Sequence, residues 1–199
     1  MSMPRVTADI SMSLDGFVTG PDAGLDNGLG TGGEALHTWA MSSDDEVDAQ
    51  VLREAVQASG SVVMGRRLFD IIDGPGGWND EMGYGGEYAT APPFFVVTHA
   101  APDSVRLDLD FTFVTDGVGA AVEQAKGAAG EKEVVLMGGG DIIRQSLDLG
   151  VLDELRIHLA PIVLGAGTPL FADVDRHDLI QTSVRVSSNA THLTYEVKR

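Results

Sequence analysis

The chain has 199 residues, 43% of them hydrophobic, with a mean hydropathy of +0.05, which is enough for one domain with a full core. A formal net charge of −17 with only 13 Lys+Arg argues against nucleic acid or an anionic membrane as partner, because both require a basic patch. The absence of cysteine excludes disulfides, thiolate catalysis and Cys-based zinc sites, and no apolar run approaches the ~18 residues of a membrane span.

The five histidines, His37, His99, His158, His177 and His192, show no metal-site spacing. The N-terminus carries no charged-then-apolar leader pattern, so a cytoplasmic protein is expected. Arg5 to Ser13 alternates, with Val6, Ala8, Ile10 and Met12 on one face, and predicts a strand turned by Leu14-Asp15-Gly16. Gly20 to Gly33, rich in Gly, Pro, Asp and Asn, reads as a long mobile loop. A short helix is expected over Glu34 to Met41 and a longer one over Ser43 to Ser59. Ser43 or Asp44 would cap the longer one, and Gly60 would end it. Its acidic start, Asp44-Asp45-Glu46-Val47-Asp48, reads as a solvated helix end.

Ser61 to Gly65 predicts a buried strand, Arg66 to Ile72 a helix, and Gly74 to Gly86 a second Gly-rich loop. Strands follow at Pro93 to Thr98 and Phe111 to Thr115, then a helix at Gly117 to Ala129. Val134 to Leu147, VVLMGGGDIIRQSL, reads as strand, tight turn and helix. Asp153 to Leu164 is a strand-like run broken by Pro161. Leu179 to Ser187 and Ala190 to Lys198 predict a hairpin turned by Ser188-Asn189. Strands alternating with helices imply a three-layer α/β/α domain over 1–199: a mostly parallel mixed sheet with a C-terminal antiparallel hairpin.

Three predicted strand ends carry unusual residues. Gly138-Gly139-Gly140 before a helix can admit a phosphate to free N–H groups, or can serve the turn alone. Arg66 and Arg67 follow Gly65 at a helix start, where cations are disfavoured, so a phosphate partner competes with an ordinary basic surface pair. Thr98-His99 could complete a phosphate pocket or simply end a strand. In parallel sheets ligands bind beyond the carboxyl ends of strands, where all three motifs fall. Neither a P-loop nor a full G-x-G-x-x-G is present.

These motifs, with ISMSLDGFVTGPD, VVMGRRLFD, FFVVTH and DELRIHLAPIVLGAGTPLF in order, give a sequence that resembles the dihydrofolate reductase-like superfamily. Within it, the chain is similar to the reductase (C-terminal) domain of bacterial riboflavin biosynthesis, as a stand-alone member. The resemblance implies NADPH, a small-molecule substrate and a homodimer; the apolar run Leu159 to Leu164 is a candidate interface, and a buried strand explains it equally well. It implies that Arg66, Arg67, Thr98 and His99 surround the 2′-phosphate. Gly65, Gly138, Gly139 and Gly140, with Asp141 and Ile142 opening the helix, would cradle the pyrophosphate. Ile10 and the loop after Asp15 would lie beside the nicotinamide.

Asp15 and Glu34 are the candidate proton donors, although the commoner roles of such residues are structural, an Asp-Gly turn and a helix-start acid. The acid that folate-reducing members carry early in the first helix falls at Ala35. The basic residue usual after SLDG in riboflavin-pathway members falls at Phe17, the acid before the glycine pair at Gly138, and the threonine after the glycine–arginine pair at Leu68. Trp39, Trp78 and Tyr84 could line the substrate pocket or anchor the core. Gly165-Ala166-Gly167 could turn near the site or serve packing. Asp141 caps a helix but would repel a phosphate it faced. The expected activity is reduction of a small heterocyclic or sugar-derived substrate; a non-catalytic NADPH-binding sensor is the alternative.

Overall fold

The computed structural model describes residues 3–79, 83–85 and 90–198. Its centre is an eight-stranded sheet in the order β5-β4-β3-β6-β1-β7-β10-β9. The strands are β1 (Val6–Ser13), β3 (Ser59–Gly65), β4 (Phe94–Val97), β5 (Phe111–Val114), β6 (Glu133–Gly138), β7 (Glu154–Ala160), β9 (Leu179–Val186) and β10 (Thr191–Val197). Neighbours from β5 to β7 pair in parallel; β10 runs antiparallel to both β7 and β9. A two-stranded antiparallel sheet, β2 (Phe17–Thr19) with β8 (Thr168–Pro169), lies beside it. The three-layer mixed sheet and terminal hairpin match the architecture expected from the alternation of elements.

Alternation along the strands divides two cores. Val63, Phe95, Val134 and Leu136 face one side, where they pack with α4 (Gly117–Ala129) and α5 (Gly140–Asp148). Val62, Met64, Phe94, Val96 and Val135 face the other, under Phe69 and Ile72 of α3 (Arg66–Ile72). Farther along this side, Trp39 of α1 (Thr38–Met41), Val51 of α2 (Glu46–Ala58) and Ala190 form a third cluster. A 3-10 helix, Gly33–His37, precedes α1, so the segment expected as one short helix is two turns of different pitch.

Several local expectations change. Asp45, not Ser43 or Asp44, caps α2; its carboxylate accepts the Val47 N–H at 2.9 Å. Gly60 belongs to β3 rather than ending α2, and a Cβ there would lie 2.4 Å from the Ala129 carbonyl oxygen. Of the apolar run Leu159–Leu164, Leu159 and Ala160 end β7 between β1 and β10, while 161–164 continue beyond the strand with Pro161 and Val163 exposed. The loop 20–33 is knit by backbone bonds, Gly20 N–H to Leu29 O at 2.7 Å and Thr31 N–H to Pro21 O at 2.8 Å. The second Gly-rich loop, 74–86, lies partly outside the described residues. Among the described residues, no helix is long and apolar enough to cross a membrane.

Candidate active site

Parallel strands β4, β3, β6 and β1 are adjacent, so their carboxyl ends share one edge. Met64 pairs with Gly138 and Gly65 with Val97, which sets these ends level. Gly138 adopts φ +116, a conformation that side chains resist, and a Cβ there would approach Ile10 Cδ1 to 3.4 Å. A cis peptide joins it to Gly139. A Cβ on Gly65 would sit 3.3 Å from Ile142 Cγ1, so glycine lets the first turn of α5 close onto the end of β3. Ile10, Gly65, Gly138 and Ile142 are thereby brought together at the start of α5, with Gly139 as its N-cap and Gly140 as its first residue. The free N–H groups and positive dipole end of that helix face this edge. Asp141 is exposed and forms an ion pair with Arg144, which offsets its charge on the surface of α5.

The two arginines part company. Arg66 Nε donates to Asp70 at 2.7 Å and Nη1 to the Ala100 carbonyl at 2.9 Å. Arg67 donates to the Ala23 carbonyl, so it ties α3 to the loop 20–33. Each guanidinium has five N–H donors, more than these bonds use. Thr98 is buried, and its hydroxyl donates to Ala100 O at 2.7 Å; it shapes the turn beside Arg66 instead of presenting an open hydroxyl. His99 is exposed next to it.

Of the two proton-donor candidates, Asp15 does not fit that role. Asp15 accepts from the Ser13 hydroxyl at 2.6 Å, the Gly165 N–H at 2.7 Å and the Leu164 N–H at 3.1 Å. The Ser13 bond, with those backbone N–H groups, holds its pKa at about 2, so Asp15 carries no proton to give near neutrality. It pins the loop after β7 to the end of β1. Because the folded pKa is depressed, this contribution is complete above the ordinary value of 3.8 and is lost as pH falls toward about 2. Asp15→Asn, with one acceptor oxygen for three donors, is expected to speed amide exchange at Leu164 and Gly165 while the sheet stays protected. Unchanged exchange there would refute the pin. Glu34 is exposed in the first turn of the 3-10 helix, and no hydrogen bond brings it to Asp15 or to the glycine cradle.

Two aromatic candidates are core anchors. Trp78 and Tyr84 pack on Phe94, and the Tyr84 hydroxyl bonds Ser59 Oγ at 2.8 Å, at the opposite end of β3 from Gly65. Burial pushes that phenol up to about 12. Trp39 is different: its indole N–H donates to Ser11 Oγ at 2.9 Å, and its ring lies 4.0 Å from that of His158.

Trp39 covers a buried polar network that sequence reasoning missed. Asp9 bonds His158, His158 bonds His192, and His192 bonds Asp48, each at 2.8 Å. Asp48 is fully buried, so the acidic start of α2 is not uniformly solvated; Asp44 and Glu46 are exposed, but Asp48 turns inward. Its second oxygen accepts from Ser43 at 2.6 Å and Asn189 at 3.0 Å. The available signal was the polar face of β1: Thr7, Asp9, Ser11 and Ser13 alternate with the apolar face, in a strand that both layers cover.

The fold thus defined is that of the dihydrofolate reductase-like enzymes. The chain belongs to the RibD C-terminal domain family, whose model matches residues 4–193. It is 26% identical over 199 residues to the uncharacterised protein YyaP of Bacillus subtilis (strain 168), covering 96% of this chain and 94% of YyaP. A putative riboflavin biosynthesis protein from Shewanella sp. PV-4 superposes with a TM-score of 0.70 at 23% identity, covering 98% of this chain and 99% of that one. A dihydrofolate reductase from Enterococcus faecalis, solved with NADP(H), gives 0.56 at 14% identity, covering 98% and 97%.

Proposed function

We propose that the chain is an NADPH-dependent reductase of a small heterocyclic or sugar-derived substrate, acting at a C=N or C=O bond. The observation that carries this reading is the glycine-lined edge where Gly65 and Gly138 leave room that a Cβ would fill, at the N-terminus of α5 and beside Arg66. Such a cradle suits a pyrophosphate, and a guanidinium at its margin suits a further phosphate. The enterococcal reductase solved with NADP(H) supports the same cofactor here.

NADPH would supply the hydride. The chain's own part would be to bind and orient it: Gly65, Gly138, Gly139 and Gly140 would admit the pyrophosphate, Ile142 would close the floor, and Arg66 with His99 would hold the 2′-phosphate. Arg67 and Ala23 join α3 to the loop 20–33, which would cover the nicotinamide end and exclude water.

Fluorescence titration with NADPH and NADH on wild type and Arg66→Ala tests the reading. Loss of one charge-assisted contact is expected to weaken NADPH about ten-fold or more and leave NADH nearly unchanged. An unaltered preference would remove Arg66 from the pocket. The ionised state of Asp15 favours, as a second reading, a non-catalytic NADPH sensor. Cofactor oxidation with a panel of pterins and aminopyrimidines separates the two, since a sensor binds tightly and turns over none.

A further inference from the structure

The chain Asp9–His158–His192–Asp48 has three links of 2.8 Å, Oδ1···Nε2, Nδ1···Nδ1 and Nε2···Oδ1. Each link needs one proton between its two atoms. Two ionised carboxylates and two neutral imidazoles supply only two. With both Nε2–H groups turned to the carboxylates, the facing Nδ1 atoms would otherwise present lone pair to lone pair. The four groups therefore hold one proton more than their neutral-histidine form, shared between the rings.

The two ends differ. At the Asp48 end both oxygens are satisfied, by His192, Ser43 and Asn189. At the other end Asp9 Oδ2 is buried without a partner. Asp9, His158 and His192 all line one cavity of about 300 Å³ between α2 and strands β1, β7, β9 and β10. Its other charged groups are matched: Arg156 pairs with Glu133 and Glu154, and Arg185 with Glu54. His37, on the 3-10 helix, has a buried Nδ1 without a partner, and burial lowers its pKa; Tyr84 is un-ionised near neutrality. The open acceptor on the cavity is thus the Asp9 carboxylate.

We propose that this chain is a one-proton store that delivers through Asp9 to a small weak base bound in the cavity. His158 passes its Nε2 proton to Asp9 Oδ1, and rotation about the soft Cβ–Cγ bond turns that oxygen to the cavity. There the base takes the proton. Asp9 is again a carboxylate, now paired with the protonated base, and both rings are neutral; a proton from solvent restores the third link only when the protonated base leaves. Asp9 and Ile10 project to opposite faces of β1, so the store serves a ligand of the cavity under α2 and stands apart from the glycine-lined edge.

The test is NMR of protein labelled with ¹⁵N at histidine, with 2-aminopyridine as probe base. At pH 7 wild type is expected to show one downfield N–H···N proton and a pair of rings carrying one imidazolium charge, lost in His192→Asn. Saturating 2-aminopyridine is expected to remove that signature in wild type and to leave it in Asp9→Asn, which keeps an acceptor for His158 but cannot carry the proton across. Two neutral rings that titrate independently would overturn the store. Histidine signals unmoved by the probe in wild type, or moved equally in Asp9→Asn, would overturn delivery. Failure of NADPH to bind would sink the reductase reading and leave these spectra unaffected.

Discussion

Asp48→Ala is expected to lower the unfolding free energy by about 3–5 kcal/mol, the usual cost of removing one partner from a buried charged network. The variant strands three donors around a site with no exposure: the Ser43 hydroxyl, the Asn189 amide and His192 Nε2. Those donors tie the start of α2 to the turn between β9 and β10, over a separation of 141 residues for Asn189 and 144 for His192. Asp48→Asn keeps the shape and one acceptor, and is expected to cost about 1–3 kcal/mol. Denaturant unfolding of the three proteins checks the order. A loss below about 1 kcal/mol for alanine would mean that solvent reaches the site.

The acid limb should report the same network. Burial alone would raise the Asp48 and Asp9 carboxyls, but the neighbouring Ser187 hydroxyl and the hydrogen bonds from Ser43, Asn189 and His192 lower Asp48, and His158 with Arg156 lowers Asp9. Both folded values are depressed, so their stabilisation is complete above 3.8 and disappears as pH falls below it. Burial also lowers His192, against the pull of Asp48, so the proton between the two rings lies nearer the His158 side of that link.

Gly167→Ala is expected to cost roughly 2–6 kcal/mol, from overpacking plus backbone strain. The added Cβ would lie 1.9 Å from the Thr19 carbonyl oxygen and 2.9 Å from its carbon, at a φ of +142. The backbone of Thr19 has little freedom to yield: it pairs with Thr168, and its hydroxyl accepts the Thr168 N–H at 3.2 Å and donates to Thr168 Oγ1 at 2.9 Å. Gly165→Ala is the control. It shares a positive φ of +76 but meets nothing within 4 Å, so only the left-handed penalty of about 1–2 kcal/mol applies. Equal losses in the two variants would show that φ alone matters. On the proposed function, Gly167→Ala should also reduce turnover, because β2 and β8 flank the Asp15 pin.

The local pattern was legible in the sequence wherever one stretch of chain decides its own conformation. Alternation in β1, Arg66–Ile72 and Gly117–Ala129 as helices, and glycine at Gly65 and Gly138 are consequences of side-chain period and backbone sterics. The GAG turn at Gly165 to Gly167 announced itself as a turn, but the close approach of Thr19 that makes its last glycine indispensable depends on a strand far away in the chain. Asp15 had the spacing of a turn or a donor; the N–H groups of Leu164 and Gly165 fixed it as a pin.

Asp48 and Glu46 are both acids in the first turn of α2, yet one is fully buried and the other exposed, because the covering Asn189 and His192 arrive from the last hairpin. Periodicity determined which residues turn to the same side of an element. Only the folded chain decided which of those sides meets water, since desolvation and hydrogen-bond geometry arise from segments more than a hundred residues apart.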